Sequence, residues 1–113
     1  MTYYFTKTIT MPFEQAIDYV TAALAAKGFG VLTTIDVKAT MKKKLDVDMP
    51  AYTILGACNP QFAYKALQNE NKIGTMLPCN VVVQDIVDGE VEVSAVNPEA
   101  SMMAVTNAAL AAN

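Results

Sequence analysis

Two short turns carry the residues of this sequence that are most able to do chemistry. They consist of Cys58, Asn59 and Pro60, and of Pro78, Cys79 and Asn80. In the first turn, the asparagine and the proline are typical of a helix start, as the N-cap and the first helical residue. A thiolate at Cys58 would then face the unpaired N–H groups and the positive end of a helix, which predicts a lowered pKa.

The two cysteines can share one site only if the strands that carry them are antiparallel neighbours. Cys58 ends one predicted strand, and Cys79 lies at the start of the next, after 20 intervening residues. Antiparallel pairing would bring both thiols to one edge of the sheet, whereas parallel strands would separate them. Three interpretations stay open: two structural cysteines, a redox pair that forms a reversible disulfide, or a Cu(I) site that includes the thioether of Met76.

The residue types that the chain lacks exclude other kinds of chemistry. All eight basic residues are lysines, set against eleven acids, and the chain contains no histidine, arginine or tryptophan. Without histidine it cannot build a Ser-His-Asp triad, a Cys-His pair or a histidine-ligated metal site. Without arginine or a basic excess, neither guanine recognition nor counterion release favours a nucleic-acid partner. Common hydrolases, common metalloenzymes and specific nucleic-acid binding are therefore excluded.

The length and composition predict one folded domain that spans residues 1–113. With 53% hydrophobic and 17% charged residues, the chain resembles globular proteins and differs from disordered ones. Its beginning lacks the pattern of a signal peptide, and no run of about 18 apolar residues predicts a membrane span. We therefore expect a cytoplasmic protein, no membrane partner, and cysteines that are reduced at rest.

Hydrophobic periodicity predicts the elements that position the two turns. The predicted strands are 3–10, 29–37, 51–57, 81–86 and 90–96, and the predicted helices are 12–27, a short 39–45, one from 59, and one from 97 to the end. The order β-α-β-(α)-β-α-β-β-α predicts an α+β fold, with a single antiparallel or mixed sheet of about five strands and helices packed on one face. The other face, with Tyr4, Thr6 and Thr8, would be either solvated or a dimer interface.

Other polar clusters have simpler interpretations. The lysine run 42–44 is typical of a solvated helix face. The acids Asp85, Asp88, Glu90 and Glu92 are typical of a soluble hairpin, because no calcium-loop spacing is present. Tyr52 and Tyr64 either line a pocket or pack in the core.

Several segments resemble the domain-of-unknown-function 302 family. They are 28–32 (GFGVL), 35–36 (ID), 55–60 (LGACNP) and 73–81 (IGTMLPCNV). The resemblance covers most of the chain, and it implies a TATA-binding-protein-like α+β architecture in small proteins that tend to be dimeric. It supplies no function, and a fold shared with a DNA-bending protein does not imply DNA binding here.

The sequence favours a non-enzymatic, homodimeric protein that binds a small ligand or a protein partner near the two Cys-Asn turns. The candidate ligand-binding or redox residues are Cys58, Asn59, Pro60, Pro78, Cys79 and Asn80. The alternative is a thiol redox or Cu(I)-handling protein that uses Cys58 and Cys79, and an enzyme based on carboxylates or tyrosines ranks last. The sequence identifies no cofactor. A solution mass of 12.1 kDa, that of one chain, would contradict the homodimer.

Overall fold

The computed structural model describes residues 2–87 and 89–97. The strands are β1 (Tyr4–Thr10), β2 (Gly30–Asp36), β3 (Tyr52–Cys58), β4 (Cys79–Val87) and β5 (Glu90–Val96). The helices are α1 (Phe13–Ala26), α2 (Val37–Leu45) and α3 (Pro60–Asn69), with a 3-10 turn at Ile73–Met76 before β4. This order confirms the predicted α+β sequence of elements as far as residue 97. The helix predicted from residue 97 to the end lies almost wholly outside the described residues.

The five strands form one open sheet in the order β1-β5-β4-β3-β2, and every neighbouring pair is antiparallel. The predicted antiparallel or mixed sheet is therefore antiparallel throughout. The neighbours β3 and β4 are joined by α3 and the 3-10 turn, so the segment between the two cysteines is an insertion that carries a helix, as predicted. β1 and β2 are the two edges of the sheet.

One face of the sheet packs against α1. The helix carries an apolar stripe, and its buried residues Ala16 and Val20 lie against strand residues that point to the same side. The buried cluster consists of Ala16, Val20, Leu55, Val81, Val83 and Val91. Each fully buried valine or leucine contributes roughly 1.5–3 kcal/mol, so this layer between α1 and the three central strands holds the fold together.

Both ends of α1 follow from its sequence. Pro12 occupies the N-cap position, one residue before the helical position that the sequence predicts for it. At the other end Gly28 takes a φ of +88°, which glycine adopts at no steric cost. The side-chain amide nitrogen of Asn59 lies 3.4 Å from the position that a Cβ on Gly28 would occupy, so the end of α1 lies beside the start of α3.

The helix α2 begins two residues earlier than the sequence predicts. Its cap is Asp36, whose carboxylate accepts a hydrogen bond of 2.9 Å from the backbone N–H of Ala39. This cap ends β2 at Asp36, so Val37 starts the helix instead of continuing the strand. Near its other end, Lys42 forms exposed ion pairs with Asp46 at 2.9 Å and Asp48 at 3.4 Å. Exposed pairs of this kind contribute roughly 0–1 kcal/mol.

The hairpin between β4 and β5 is confirmed. Gly89 has a φ of +78° in the turn, and the register shifts between Asp85 and Val87, which marks an irregularity of the bulge type. Asp88, which the sequence places at the tip, lies outside the described residues. In the part of the chain that is described, no helix has the length and apolar character needed to cross a membrane.

Candidate functional site

The face of the sheet that points away from α1, called here the open face, is organised in rows of side chains across the strands. In one row Tyr52 of β3, Gln84 of β4, Glu92 of β5 and Thr8 of β1 lie side by side. In the next row the side chains are Ile35, Ile54, Val82, Ser94 and Thr6. The hydroxyls of Thr6 and Ser94 are 3.1 Å apart and share a hydrogen bond. The open face is therefore apolar on the β2–β4 side and polar towards β1.

A groove of about 400 Å³ lies on this face, and we call it the sheet groove. Its lining residues are Tyr3, Tyr4, Tyr52, Asn80, Val82, Gln84, Glu92, Ser94, Ala95 and Val96. Tyr4 stands on the β1 side and Tyr52 on the β3 side, while Val82 and Ser94 lie on the two strands between them. Neighbouring strands are about 4.8 Å apart, so β1 and β3 lie roughly 14 Å apart across the sheet. Because Tyr4 pairs with Val96 while Tyr52 lies in the row of Glu92, the two tyrosines stand at diagonally opposite ends of the groove. Small-molecule sites in proteins commonly have this size and this mixture of aromatic, apolar and polar side chains.

The electrostatic character of the sheet groove is set by a single carboxylate. Among the described residues that line it, Glu92 is the one acidic residue and none is a lysine. The side-chain amide of Gln84 donates to Glu92 Oε1 over 3.5 Å, a long hydrogen bond. The remaining polar lining groups, Asn80 and Ser94, are neutral, so the sheet groove presents one negative charge beside neutral donors and acceptors.

Two of the predicted site residues have structural roles at the start of α3. Asn59 is the N-cap, and its side-chain oxygen accepts a hydrogen bond of 3.2 Å from the backbone N–H of Phe62. Pro60 is the first residue of the helix, where its missing N–H costs nothing. The helix start that the sequence predicts at this turn is therefore confirmed.

The turn formed by Pro78, Cys79 and Asn80 packs against β3. Pro78, which follows a cis peptide bond, lies against Gly56 of β3, and a Cβ on that glycine would come within 2.7 Å of Pro78 Cγ. Asn80 pairs with Gly56 across the strands and lines the sheet groove. Of the six candidate residues, Asn80 alone lines the sheet groove.

The two cysteines lie on adjacent strands, and the register directs their side chains to different faces. Ala57 pairs with Cys79, and both share the face that packs against α1, while Cys58 is the next residue along β3. Successive side chains of a strand alternate between faces, so Cys58 points to the side opposite to Cys79. Both thiols are free and half-buried. A disulfide between side chains that point apart requires the backbone to move.

The register also bears on a Cu(I) site. Two sulfurs that point to opposite faces of a sheet do not converge on one ion without movement of the backbone, whether or not the Met76 thioether takes part. Among residues 2–87 and 89–97, no group of three or more histidine, cysteine, aspartate or glutamate side chains is close enough to hold a metal. The register of β3 and β4 therefore does not favour a site that both thiols share.

The surroundings of Cys79 favour its protonated form. Partial burial, and secondarily the negative charge of the neighbouring Cys58 thiolate, raise the pKa of Cys79 above its ordinary value of 9.0. A nucleophilic or redox-active cysteine needs the opposite shift, because the thiolate is the reactive species. Cys79 is therefore poorly suited to be the attacking thiol of a redox pair.

We expect the alkylation of Cys79 by iodoacetamide to have a pH midpoint above 9.0 in the folded protein. The folded state holds this proton more tightly than the unfolded state does, so the associated stability is present below pH 9.0 and decreases as the pH rises beyond it. Mass spectrometry of alkylated peptides, in buffer and in concentrated urea, gives both midpoints. The Cys58→Ser variant should lower the midpoint of Cys79 in the folded protein, because it removes the negative charge of the Cys58 thiolate. A midpoint at or below 9.0 in the folded protein would contradict the expectation.

A second hollow of about 350 Å³ lies near the β4–β5 turn. Its lining includes Pro12, Pro50, Asp85, Ile86 and Gly89. Asp88, which adjoins this lining, lies outside the described residues, and the described part of the lining contains no tyrosine. The sheet groove, which three tyrosines line, is therefore the better candidate for a ligand site.

Sequence reasoning missed most of the sheet groove. It gave Glu92 a role in hairpin solubility and gave Gln84 no role, and it treated Tyr52 and Tyr64 as equivalent. The structure separates these tyrosines, since Tyr52 lines the sheet groove and Tyr64 is exposed on α3. The alternation of β5 was the available signal, because it placed Glu92 and Ser94 together on the face away from the core.

Comparison with known proteins agrees with the fold. The chain is similar to a solved structure described as "Crystal structure of uncharacterized conserved protein DUF302 from Bacillus stearothermophilus", with a TM-score of 0.86 and 26% sequence identity, over 97% of this chain and 85% of that one. No curated protein matches the sequence. The family described as "Domain of unknown function DUF302" matches residues 5–113. The chain therefore belongs to the DUF302 family.

Proposed function

We propose that this protein is a non-enzymatic binding domain and that the sheet groove is its ligand site. The observation that carries the proposal is the lining of that groove, where three tyrosines and small apolar side chains lie beside four polar side chains. Ligand sites are typically concave and mostly apolar, with a few polar groups that fix orientation. The groove ends at Asn80, beside the two Cys-Asn turns, so the proposed site lies on the open face and not between the thiols.

The turn that contains Pro78 and Cys79 supports this site at the end that Asn80 lines. Pro78 and Gly56 are in close contact, and this contact sets the position from which β4 starts. Asn80 and Val82 follow at the next positions of β4 that face the groove. In this interpretation the turns position a wall of the groove, and thiol chemistry is not required. The homodimer stays a prediction from the resemblance. Leu32 and Ile35 on edge strand β2 are exposed, and they provide an apolar surface outside the groove at which two chains could pack.

A fragment titration followed by ¹H–¹⁵N NMR tests the proposal. A set of small aromatic and aliphatic fragments, with neutral, anionic and cationic members, should shift the amide signals of Asn80, Val82 and Ser94 more than those of α2. Replacing Tyr52 by alanine removes one side of the groove, and we expect affinity for the best fragment to fall about tenfold, the equivalent of about 1.4 kcal/mol.

The matched control is Tyr64→Ala, because that side chain is 66% exposed on α3 and does not line the groove. It should leave both the shifts and the affinity unchanged. Shifts that cluster away from the groove, no shifts with any fragment, or equal losses in the two tyrosine variants would each refute the proposed site. Thermal unfolding of both variants establishes that the comparison is made between folded proteins.

A further inference from the structure

We infer that the ligand of the sheet groove is a small organic cation, an ammonium group attached to a compact apolar body. This inference rests on the proposed function and adds the chemical class of the ligand. It depends on three features of the groove: its charge, its tyrosine rings and the position of the apolar Val82 beside Glu92.

The charge of the groove selects against anions. Glu92 lines it, and Glu90, which pairs with Thr10, is two positions away on the same side of β5. Lys7, the lysine of β1, pairs with Val93 and so points to the face that packs against α1. The negative charge of Glu92 therefore attracts a cation in the groove, and no lysine among the described lining residues offsets that attraction.

The tyrosines add a second source of attraction for a cation. The rings of Tyr3 and Tyr4 are 4.9 Å apart with an interplanar angle of 70°, an edge-to-face arrangement at the β1 side. Tyr52, in the row of Gln84 and Glu92, supplies the ring that the register places nearest to Glu92, whereas Tyr4 pairs with Val96, four positions along β5. The face of an aromatic ring carries negative electrostatic potential, which attracts substituted ammonium groups.

The floor of the groove places the two parts of such a ligand. Gln84 and Glu92 are paired across β4 and β5, and Val82 and Ser94 form the adjacent pair. An ammonium group beside Glu92 would therefore set an attached apolar body over Val82. The hydrogen bond from Gln84 is long, so the Glu92 carboxylate keeps its negative charge available for electrostatic attraction of a cation.

The test compares choline with its neutral isostere, 3,3-dimethyl-1-butanol, and with the anion 3,3-dimethylbutanoate. In NMR titrations of the full chain, choline should shift the signals of the groove and bind at least about tenfold more tightly than the neutral isostere, as expected for a loss of charge attraction near 1.4 kcal/mol. The choline affinity should also fall as the salt concentration rises.

The variant Glu92→Gln keeps the size of the side chain and removes its charge. We expect it to reduce choline affinity about tenfold and to leave the binding of the neutral isostere unchanged. The control is Glu90→Gln, which removes an equal charge from the same strand outside the lining of the groove and should have a smaller effect.

The titrations distinguish a failure of the cation inference from a failure of the proposed site. If the neutral isostere or the anion binds in the groove as tightly as choline does, the cation inference is overturned while the proposed site stands. If none of the three probes shifts the signals of the groove, and the fragment set also fails there, the proposed function is overturned together with the inference.

Discussion

Replacing Gly56 by alanine should lower the free energy of unfolding by about 1–3 kcal/mol, and replacing it by valine should lower it further. A Cβ at this position would lie 2.7 Å from Pro78 Cγ and would overlap Thr33 Oγ1. The proline ring is rigid, so it cannot move aside as a flexible side-chain end can. The expected loss is net of the gain of roughly 0.4–1 kcal/mol that a glycine-to-alanine change brings by restricting the unfolded chain.

Urea unfolding of three variants tests this expectation. Gly30→Ala is the matched control, because Gly30 lies on the neighbouring strand and a Cβ there would meet no heavy atom within 4 Å. It should be neutral or slightly stabilising. The double variant Gly56→Ala/Thr33→Ala should recover part of the loss, because it removes one of the two overlaps. Equal stabilities for the alanine variants at Gly56 and Gly30 would show that Pro78 does not pack on β3 as described.

The same contact links stability to the proposed site. Because Gly56 admits the Pro78 ring, β4 starts at Cys79 in a register that places Asn80 opposite Gly56 and in the groove. A shift of one residue in that register would turn Asn80 towards α1 and Cys79 towards the open face. The turn therefore determines which of its polar residues a ligand in the sheet groove meets.

Most of the elements could be predicted from the sequence, because their signals are local. Alternation in β1 and β5, the stripe of α1 and the Asn59-Pro60 helix start each depend on residues within one element. The beginning of α2 was misplaced for the same reason. Residues 29–37 continue to alternate through Val37, and the competing signal is one side-chain cap from Asp36 to the backbone of Ala39.

The sheet groove could not be predicted, because its residues come from both ends of the chain. Tyr4 and Glu92 share the open face only because β5 lies between β1 and β4. Neither periodicity nor spacing specifies that order. The relation of the cysteines was also beyond the sequence: antiparallel pairing of β3 and β4 made them neighbours, yet a register offset of one residue directs them to different faces.

Replacing Leu55 by alanine should lower the free energy of unfolding by about 2–5 kcal/mol. Leu55 is 1% exposed on the central part of β3 and packs in the cluster that includes Val20, Val81 and Val83. Alanine would remove three carbon atoms and leave a cavity beneath α1, which the surrounding side chains fill only in part. Since single domains have about 5–15 kcal/mol of stability in total, the variant should lose a large share of it.

Thermal and urea unfolding measure this loss, and Leu32→Ala provides the matched control. Leu32 is 66% exposed on β2, so the same substitution should change stability by about 0.5 kcal/mol or less. Because Leu55 points towards α1, its truncation should weaken the layer between helix and sheet without removing any residue that lines the groove. Ligand binding by the folded fraction of Leu55→Ala should therefore persist at temperatures well below its unfolding midpoint. A stability close to that of Leu32→Ala would mean that the apolar core does not lie on the face described.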